Sequence, residues 1–336
     1  MSETVAELGE QAILQRLQPY CSRDKLGDDA AVLEPQPGFL LVISTDMLVD
    51  GVHFSDRTTS PFDIGWRTAA ANLSDLAAMG ATPLGLTVSL GLPPALLVAQ
   101  LEQIYQGIRD CLQHYGTTII GGDICRSDCL TLSMTALGQV SPQQQIRRTT
   151  AQLGDAILVT GAHGGSRAGL EILLKPEWGQ SLSEAERTAL CRIHQRPQPR
   201  LDVSPLLRQH YPELCVTGMD SSDGLADAIL QICRASGVGA ILDRIPIPTC
   251  LQTIAPEQAL DWALYGGEDF ELVLCLPANA AEAMVNSLGD SAQIIGQIVR
   301  GSDVQFVDPR GIEAPRTLSL SQGFQHFETS TTDESP

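Results

Sequence analysis

The chain has 336 residues, 43% of them hydrophobic, and 40 Asp+Glu against 21 Lys+Arg leave it a formal charge of −19. That length suffices for two domains with separate cores. The charge repels bare phosphate backbones, which argues against nucleic acid and anionic membrane as partners and requires cations beside any phosphorylated ligand.

The N-terminal MSETVAELGEQAILQRL lacks the basic start and apolar run of a signal peptide. No stretch approaches ~18 uninterrupted apolar residues. Nine scattered Cys suit free thiols in a reducing compartment, so a cytoplasmic protein is expected. Strand-like runs fall at 39–45, 85–91, 117–121, 130–138, 156–160, 238–242, 271–276 and 293–299. Helical periodicity falls at 6–18, 63–79, 94–115, 165–174, 183–194, 223–236 and 278–288. Their alternation predicts an α/β or α+β fold. The polar, aperiodic SPQQQIRRTT at 141–150 separates an N-terminal domain, 1–140, from a C-terminal one, 150–327. The small polar residues of 328–336 predict a disordered tail.

No metal motif built on nitrogen or sulfur is present. Cys125 and Cys129 have no second pair, and the six His form neither H-x-H nor H-E-x-x-H. The acids are more informative. Asp28 and Asp29 lie in GDDAAVL, and Asp46 closes the strand LLVISTD after Ser44 and Thr45. Asp75 sits in the small, apolar segment ANLSDLAAMGA, with Asn72 one turn earlier as a candidate hydrogen-bonding neighbour. Asp123 closes TIIGGD, Asp220 and Asp223 flank Ser222 in DSSDGL, and Glu268 and Asp269 follow a double glycine. Singly, each has a plain alternative: Asp29 as a turn residue, Asp223 as a helix N-cap, Glu268 as a solvated acid. Together, Gly or Ser/Thr beside Asp recurs in five segments where Lys and Arg are nearly absent, which makes ion pairing a poor explanation. An oxygen-only donor set selects hard cations, Mg²⁺ above all where phosphates share the shell. There is no G-x-x-x-x-G-K-[ST], and TGAHGGSRAGL at 160–170 lacks a Lys, so it reads as a tight strand–helix turn.

In order along the chain, GDDAAVL, STDMLVDGVHF, NLSDLAAMGATP, IIGGDICRS, RRTTAQLGD, DSSDGL, YGGEDFEL and GFQHF resemble the thiamine-monophosphate kinase family. The resemblance runs from about residue 27 to 327 and is carried most specifically by the second and third stretches. It implies the two-domain fold shared with aminoimidazole ribonucleotide synthetase and selenophosphate synthetase. In that fold the N-terminal strands complete a barrel with a second subunit, so a homodimer is expected. It also implies transfer of the ATP γ-phosphoryl group to thiamine monophosphate. By motif it implies Mg²⁺ ligands at Asp29, Ser44, Thr45, Asp46, Asp75, Asp123, Asp220 and Asp223, with Asp28 left outside the set. Nucleotide contacts fall on Gly122, Asp123, Arg148 and Ser222, and substrate contacts on His53, Glu268 and Phe324.

Two departures, Ser221 where the family has an aliphatic residue and Ile124 where Thr is frequent, remove no ligand. The acceptor is already a phosphate monoester, largely deprotonated at neutral pH with a second pKa of ~6, so no general base is expected. Two alternatives stand. One is another ATP-dependent synthetase of this fold. The other is a non-catalytic divalent-cation protein, which would cluster its acids in one loop.

Overall fold

The structure, a computed structural model, describes residues 3–22, 25, 30–289, 291–308 and 314–323. Two short helices, α1 (Val5–Leu8) and α2 (Glu10–Leu17), stand where one helix over 6–18 was expected. Gly9, at φ 79°, interrupts them in the left-handed region that glycine alone enters without strain. There follow β1 (Leu40–Val49), α3 (Pro61–Ala78), β2 (Thr82–Leu92), α4 (Val98–His114), β3 (Ile119–Arg126) and β4 (Thr131–Val140). Helix α4 begins four residues later than its periodicity suggests. The carbonyls of Pro94 and Leu96 instead accept the Ala6 and Val5 amides and tie the N-terminus down.

These strands form one sheet in the order β1-β4-β2-β3, with only β2 and β3 parallel. Leu86, Val88, Leu132 and Met134 are buried on its inner face under α3 and α4. Those two helices touch backbone to backbone: a Cβ on Gly65 or Gly107 would lie 1.9 Å from the carbonyl oxygen of Ile104 or Phe62. This is why a long apolar helix such as α3 carries a glycine at its crossing point.

The second half runs β5 (Ala156–Val159), α5 (Gly165–Leu174), α6 (Glu184–Gln195), α7 (Val203–His210), β6 (Thr217–Asp220), α8 (Leu225–Ser236) and β7 (Gly239–Leu242). It continues with α9 (Leu251–Ile254), α10 (Ala259–Tyr265), β8 (Leu272–Leu276), α11 (Ala278–Leu288), β9 (Gln293–Val299), β10 (Val304–Phe306) and β11 (Arg316–Thr317). The sheet order is β11-β10-β7-β9-β5-β8-β6. Every residue of β8 is buried. Leu272, Leu274 and Leu276 pack with α7 and α11, while Val273 and Cys275 pack with α8. Two covered faces explain its unbroken apolar run, LVLCL. No helix among the described residues is long and apolar enough to cross a membrane.

Two sequence expectations need correction at the strand ends. Asp46 and Asp123 do not close their strands, because β1 continues to Val49 and β3 to Arg126. The ladder partners Met134, Ser133 and Leu132 of β4 carry β1 past the acid. Asp223 does not cap α8 either: the N-cap is Gly224, and no side chain caps this helix.

Candidate active site

A cavity of about 780 Å³ opens between β1 and α3 on one side and the loops around 220–224 and 265–270 on the other. Of the residues singled out in the sequence, Thr45, Asp46, His53, Asp75, Asp220, Ser222, Asp223 and Glu268 line it. Asp28, Asp29 and Phe324 lie outside the described residues.

The acidic end is built on β1 and α3. Alternation along β1 turns Ser44 and Asp46 toward the helices, and the Ser44 hydroxyl donates to the Asp75 carboxylate. Asn72 is not the partner of Asp75. Its amide oxygen accepts the Asp46 N–H at 3.1 Å and its NH₂ donates to the Thr68 carbonyl at 3.0 Å, pinning β1 to α3. The Thr45 hydroxyl points the other way and donates to the Met134 carbonyl at 2.7 Å. From the same helix Ser74 donates to the buried Asp220 at 2.7 Å, tying α3 to the end of β6.

These carboxylates share one field. Burial pushes Asp46 up to about 7, reinforced by the charges of Asp75, Asp220 and Asp223. Burial and then Asp75 push Asp220 up to about 6. Asp75 is raised by burial against the opposing pull of Ser44 and the Arg148 guanidinium. Among the described residues no three Asp, Glu, His or Cys side chains converge closely enough to hold a metal ion by themselves. A hard cation held here would therefore need phosphate oxygens or water to complete its shell.

Arg148 acts on this group through its charge, and its carbonyl is held by the Ser236 hydroxyl at 2.8 Å. Gly122 and Asp123 are not at the cavity wall. Asp123 pairs in register with Ser89, which pairs with Ser133 and so with Met47, on the sheet face turned away from the helices.

At the other end, His53 Nδ1 accepts the Val49 N–H at 3.1 Å, which leaves Nε2 as the proton-bearing nitrogen of the neutral ring. Glu268 stands in the left-handed region at φ 60°, and its N–H donates to the Ser222 carbonyl at 2.7 Å. It is not a solvated acid, and ion pairing does explain it: Arg67 of α3 donates to its carboxylate. Sequence reasoning missed Arg67, Ser74 and His194. A polar residue every few positions on an otherwise Ala- and Leu-rich helix was the signal available for the first two.

Asp269 has a different task. It accepts the Gly164 and Ser166 amides at 2.7 and 2.9 Å, so the N-terminus of α5 is already occupied by a carboxylate. The glycine-rich turn at 160–170 is therefore structural. Ser221, one of the two departures, bridges the Glu271 carbonyl and the buried His163 at 3.1 and 3.0 Å.

Comparison with known proteins places the sequence and the fold in a family. The sequence model "AIR synthase related protein, N-terminal domain" covers residues 27–140, and its C-terminal counterpart covers 152–308. The chain is 53% identical to the thiamine-monophosphate kinase of Synechococcus elongatus over 329 residues, 97% of this chain and 98% of that one. The crystal structure of thiamine-monophosphate kinase from Stenotrophomonas maltophilia superposes with a TM-score of 0.75 at 36% identity, covering 88% of this chain and 94% of that one. AaThiL complexed with AMPPCP and TMP superposes with a TM-score of 0.72 at 29% identity, covering 95% and 99%. The fold and the two matching sequence models define a protein of the AIR synthase class. Within that class the chain belongs to the thiamine-monophosphate kinase family.

Proposed function

We infer that the chain transfers the γ-phosphoryl group of ATP to thiamine monophosphate, giving thiamine diphosphate and ADP. The observation that carries this reading is one cavity with a cluster of mutually repelling carboxylates at one end and the Glu268 carboxylate at the other. AaThiL, which superposes over nearly the whole chain, holds AMPPCP and TMP together.

The reaction makes one bond and breaks one. A phosphate oxygen of the acceptor attacks the γ-phosphorus, and the bond to the β,γ-bridging oxygen breaks to release ADP. No proton need leave the acceptor, so no general base is assigned. The difficulty is to align two polyanions in a chain of charge −19. The donor chemistry fits a hard cation, because acids raised this far are poorly satisfied without one. Asp29, Ser44, Asp46, Asp75, Asp220 and Asp223 would hold Mg²⁺, whose contribution when bound is to neutralise phosphate charge and fix the in-line geometry. Thr45 and Asp123, whose side chains stand on the opposite sheet face, would join them only from that face. Arg148 would add a forked donor for phosphate oxygens, with Gly122, Asp123 and Ser222 as further nucleotide contacts. His53, Glu268 and Phe324 would receive the cationic heterocyclic end of the acceptor.

Purified protein incubated with ATP, Mg²⁺ and thiamine monophosphate is expected to yield thiamine diphosphate and ADP in equal amounts, and none with EDTA. ADP release without thiamine diphosphate would overturn the acceptor while keeping the nucleotide site.

We further propose that the chain works as a homodimer in the cytoplasm, where its nine unpaired cysteines remain reduced. Leu41, Ile43 and Met47 alternate along the outer face of β1 at 54%, 64% and 55% exposure, an apolar stripe on an edge strand. A second copy covering that face buries the stripe and makes Asp123 an interface residue. Equilibrium sedimentation should give a dimer for the native chain and a monomer for Ile43→Lys. A native monomer at micromolar concentration counts against the assembly.

A further inference from the structure

Helix α3 contains an arginine only 1% exposed. Burying a guanidinium is costly unless its donors are all engaged. Arg67 spreads them over two distant segments. One terminal nitrogen donates to Glu268, and the other donates to the His194 carbonyl and faces His194 Nδ1 at 3.3 Å. His194 is kept neutral, pushed down to about 3 by burial and by the neighbouring Arg67 charge, and its Nδ1 accepts because it faces a guanidinium that can only donate. The Ser166 hydroxyl lies 3.1 Å from the same nitrogen.

Glu268 is held from its backbone as well. Its amide is fixed to Ser222, and the preceding Gly267, at φ 68°, sits so close that a Cβ there would lie 2.8 Å from the same Ser222 carbonyl oxygen. Its side chain is 32% exposed and lines the cavity. Burial works against its charge, but the Arg67 guanidinium holds the carboxyl below its ordinary range. Arg67, Ala71 and Asp75 all line the same cavity, one helical turn apart each time. At 1.5 Å per residue the first and last are separated by about 12 Å along the axis. One rigid helix therefore spaces the acidic end of the cavity from the end where Glu268 stands.

We propose that Arg67 is a positioning residue for the acceptor: it locks the Glu268 carboxylate two helical turns from Asp75, as the fixed counter-charge for the substrate's cationic ring. This rests on the functional reading above, in which Glu268 meets the acceptor. Arg67 itself touches neither phosphate.

The test is steady-state kinetics on the full chain with R67M, R67K, E268Q and the double variant R67M/E268Q, each checked for folding by circular dichroism. Losing a charge-assisted contact used equally in ground and transition states raises KM alone. R67M should raise the KM for thiamine monophosphate by roughly 10–100-fold, while kcat and the KM for ATP stay within about twofold. The double variant should match E268Q alone instead of multiplying the two effects. R67K keeps the charge but not the fork, and should fall between R67M and the native chain. If R67M does not fold, R67K carries the same test, with a several-fold rise expected. An unchanged KM for thiamine monophosphate overturns the role of Arg67, as does an equal loss for both substrates or a multiplicative double variant. A native chain that makes no thiamine diphosphate overturns the functional reading first, and this inference with it.

Discussion

Asp75→Asn is expected to leave a folded protein whose turnover falls by about three orders of magnitude. Asn keeps the size of the side chain and an oxygen for the Ser44 hydroxyl, so the packing of β1 on α3 survives. What it removes is a negative charge from the group that would hold Mg²⁺ on the phosphates. Metal-ion stabilisation of transferring phosphate is worth several kcal/mol, and each ~1.4 kcal/mol lost from the barrier is tenfold in rate. A loss of about 4 kcal/mol gives the stated thousandfold drop. The same substitution should not lower stability in the absence of Mg²⁺. The Asp75 charge raises both Asp46 and Asp220, and removing it relieves them. The melting temperature in EDTA should stay equal or rise. Near-native turnover in a folded Asp75→Asn protein would remove Asp75 from the ligand set.

The second large effect is a pH-dependent response to Mg²⁺. In the folded chain Asp46 titrates at about 7 and Asp220 at about 6, both above the ordinary carboxylate value of 3.8. Between about pH 4 and 7 the folded state therefore binds more protons than the unfolded one, and stability falls as pH rises through that window. Above about pH 7 both acids are ionised and repel Asp75 and Asp223 unless a cation intervenes. Mg²⁺ with ATP should then raise the melting temperature by several degrees at pH 8, roughly the effect of ligand well above its Kd, and by little at pH 5, where protons occupy the same oxygens. Asp269 also titrates at about 7. Being spent on the α5 amides, it contributes to the pH trend in EDTA but not to the Mg²⁺ increment. An increment of equal size at both pH values would argue that Mg²⁺ binds elsewhere, at exposed acids with ordinary titration.

Much of the fold was legible because the relevant forces are local. Helices α5 and α11 occupy the residues their periodicity marks, 165–174 and 278–288, since each has one apolar face and a glycine or proline at its start. Strand β6 was missed. Its four residues, TGMD, have little strand propensity, and Gly218 is required because a Cβ there would lie 2.7 Å from the Val273 carbonyl oxygen. Helix α7 was hidden by Pro205 in its first turn, a position where the missing N–H costs nothing. Strands β10 and β11 are too short for any periodicity and exist only because β7 offers an edge to extend.

What the sequence alone determined is the chemistry on offer. It supplies carboxylates and hydroxyls beside small residues, with no P-loop lysine and no His or Cys ligand pattern, and so a site that needs a hard cation to meet phosphate. What only the tertiary structure decided is which of those acids share a field and which are spent on the fold. Asp46, Asp75, Asp220 and Asp223 act on one another across the cavity, while Asp269 caps a helix and Glu268 is claimed by an arginine 201 residues away. Periodicity and capping are read over a few neighbouring positions. Electrostatic interaction falls off over about 10 Å of space whatever the separation along the chain, so the charge state of each acid is settled only once the chain has folded.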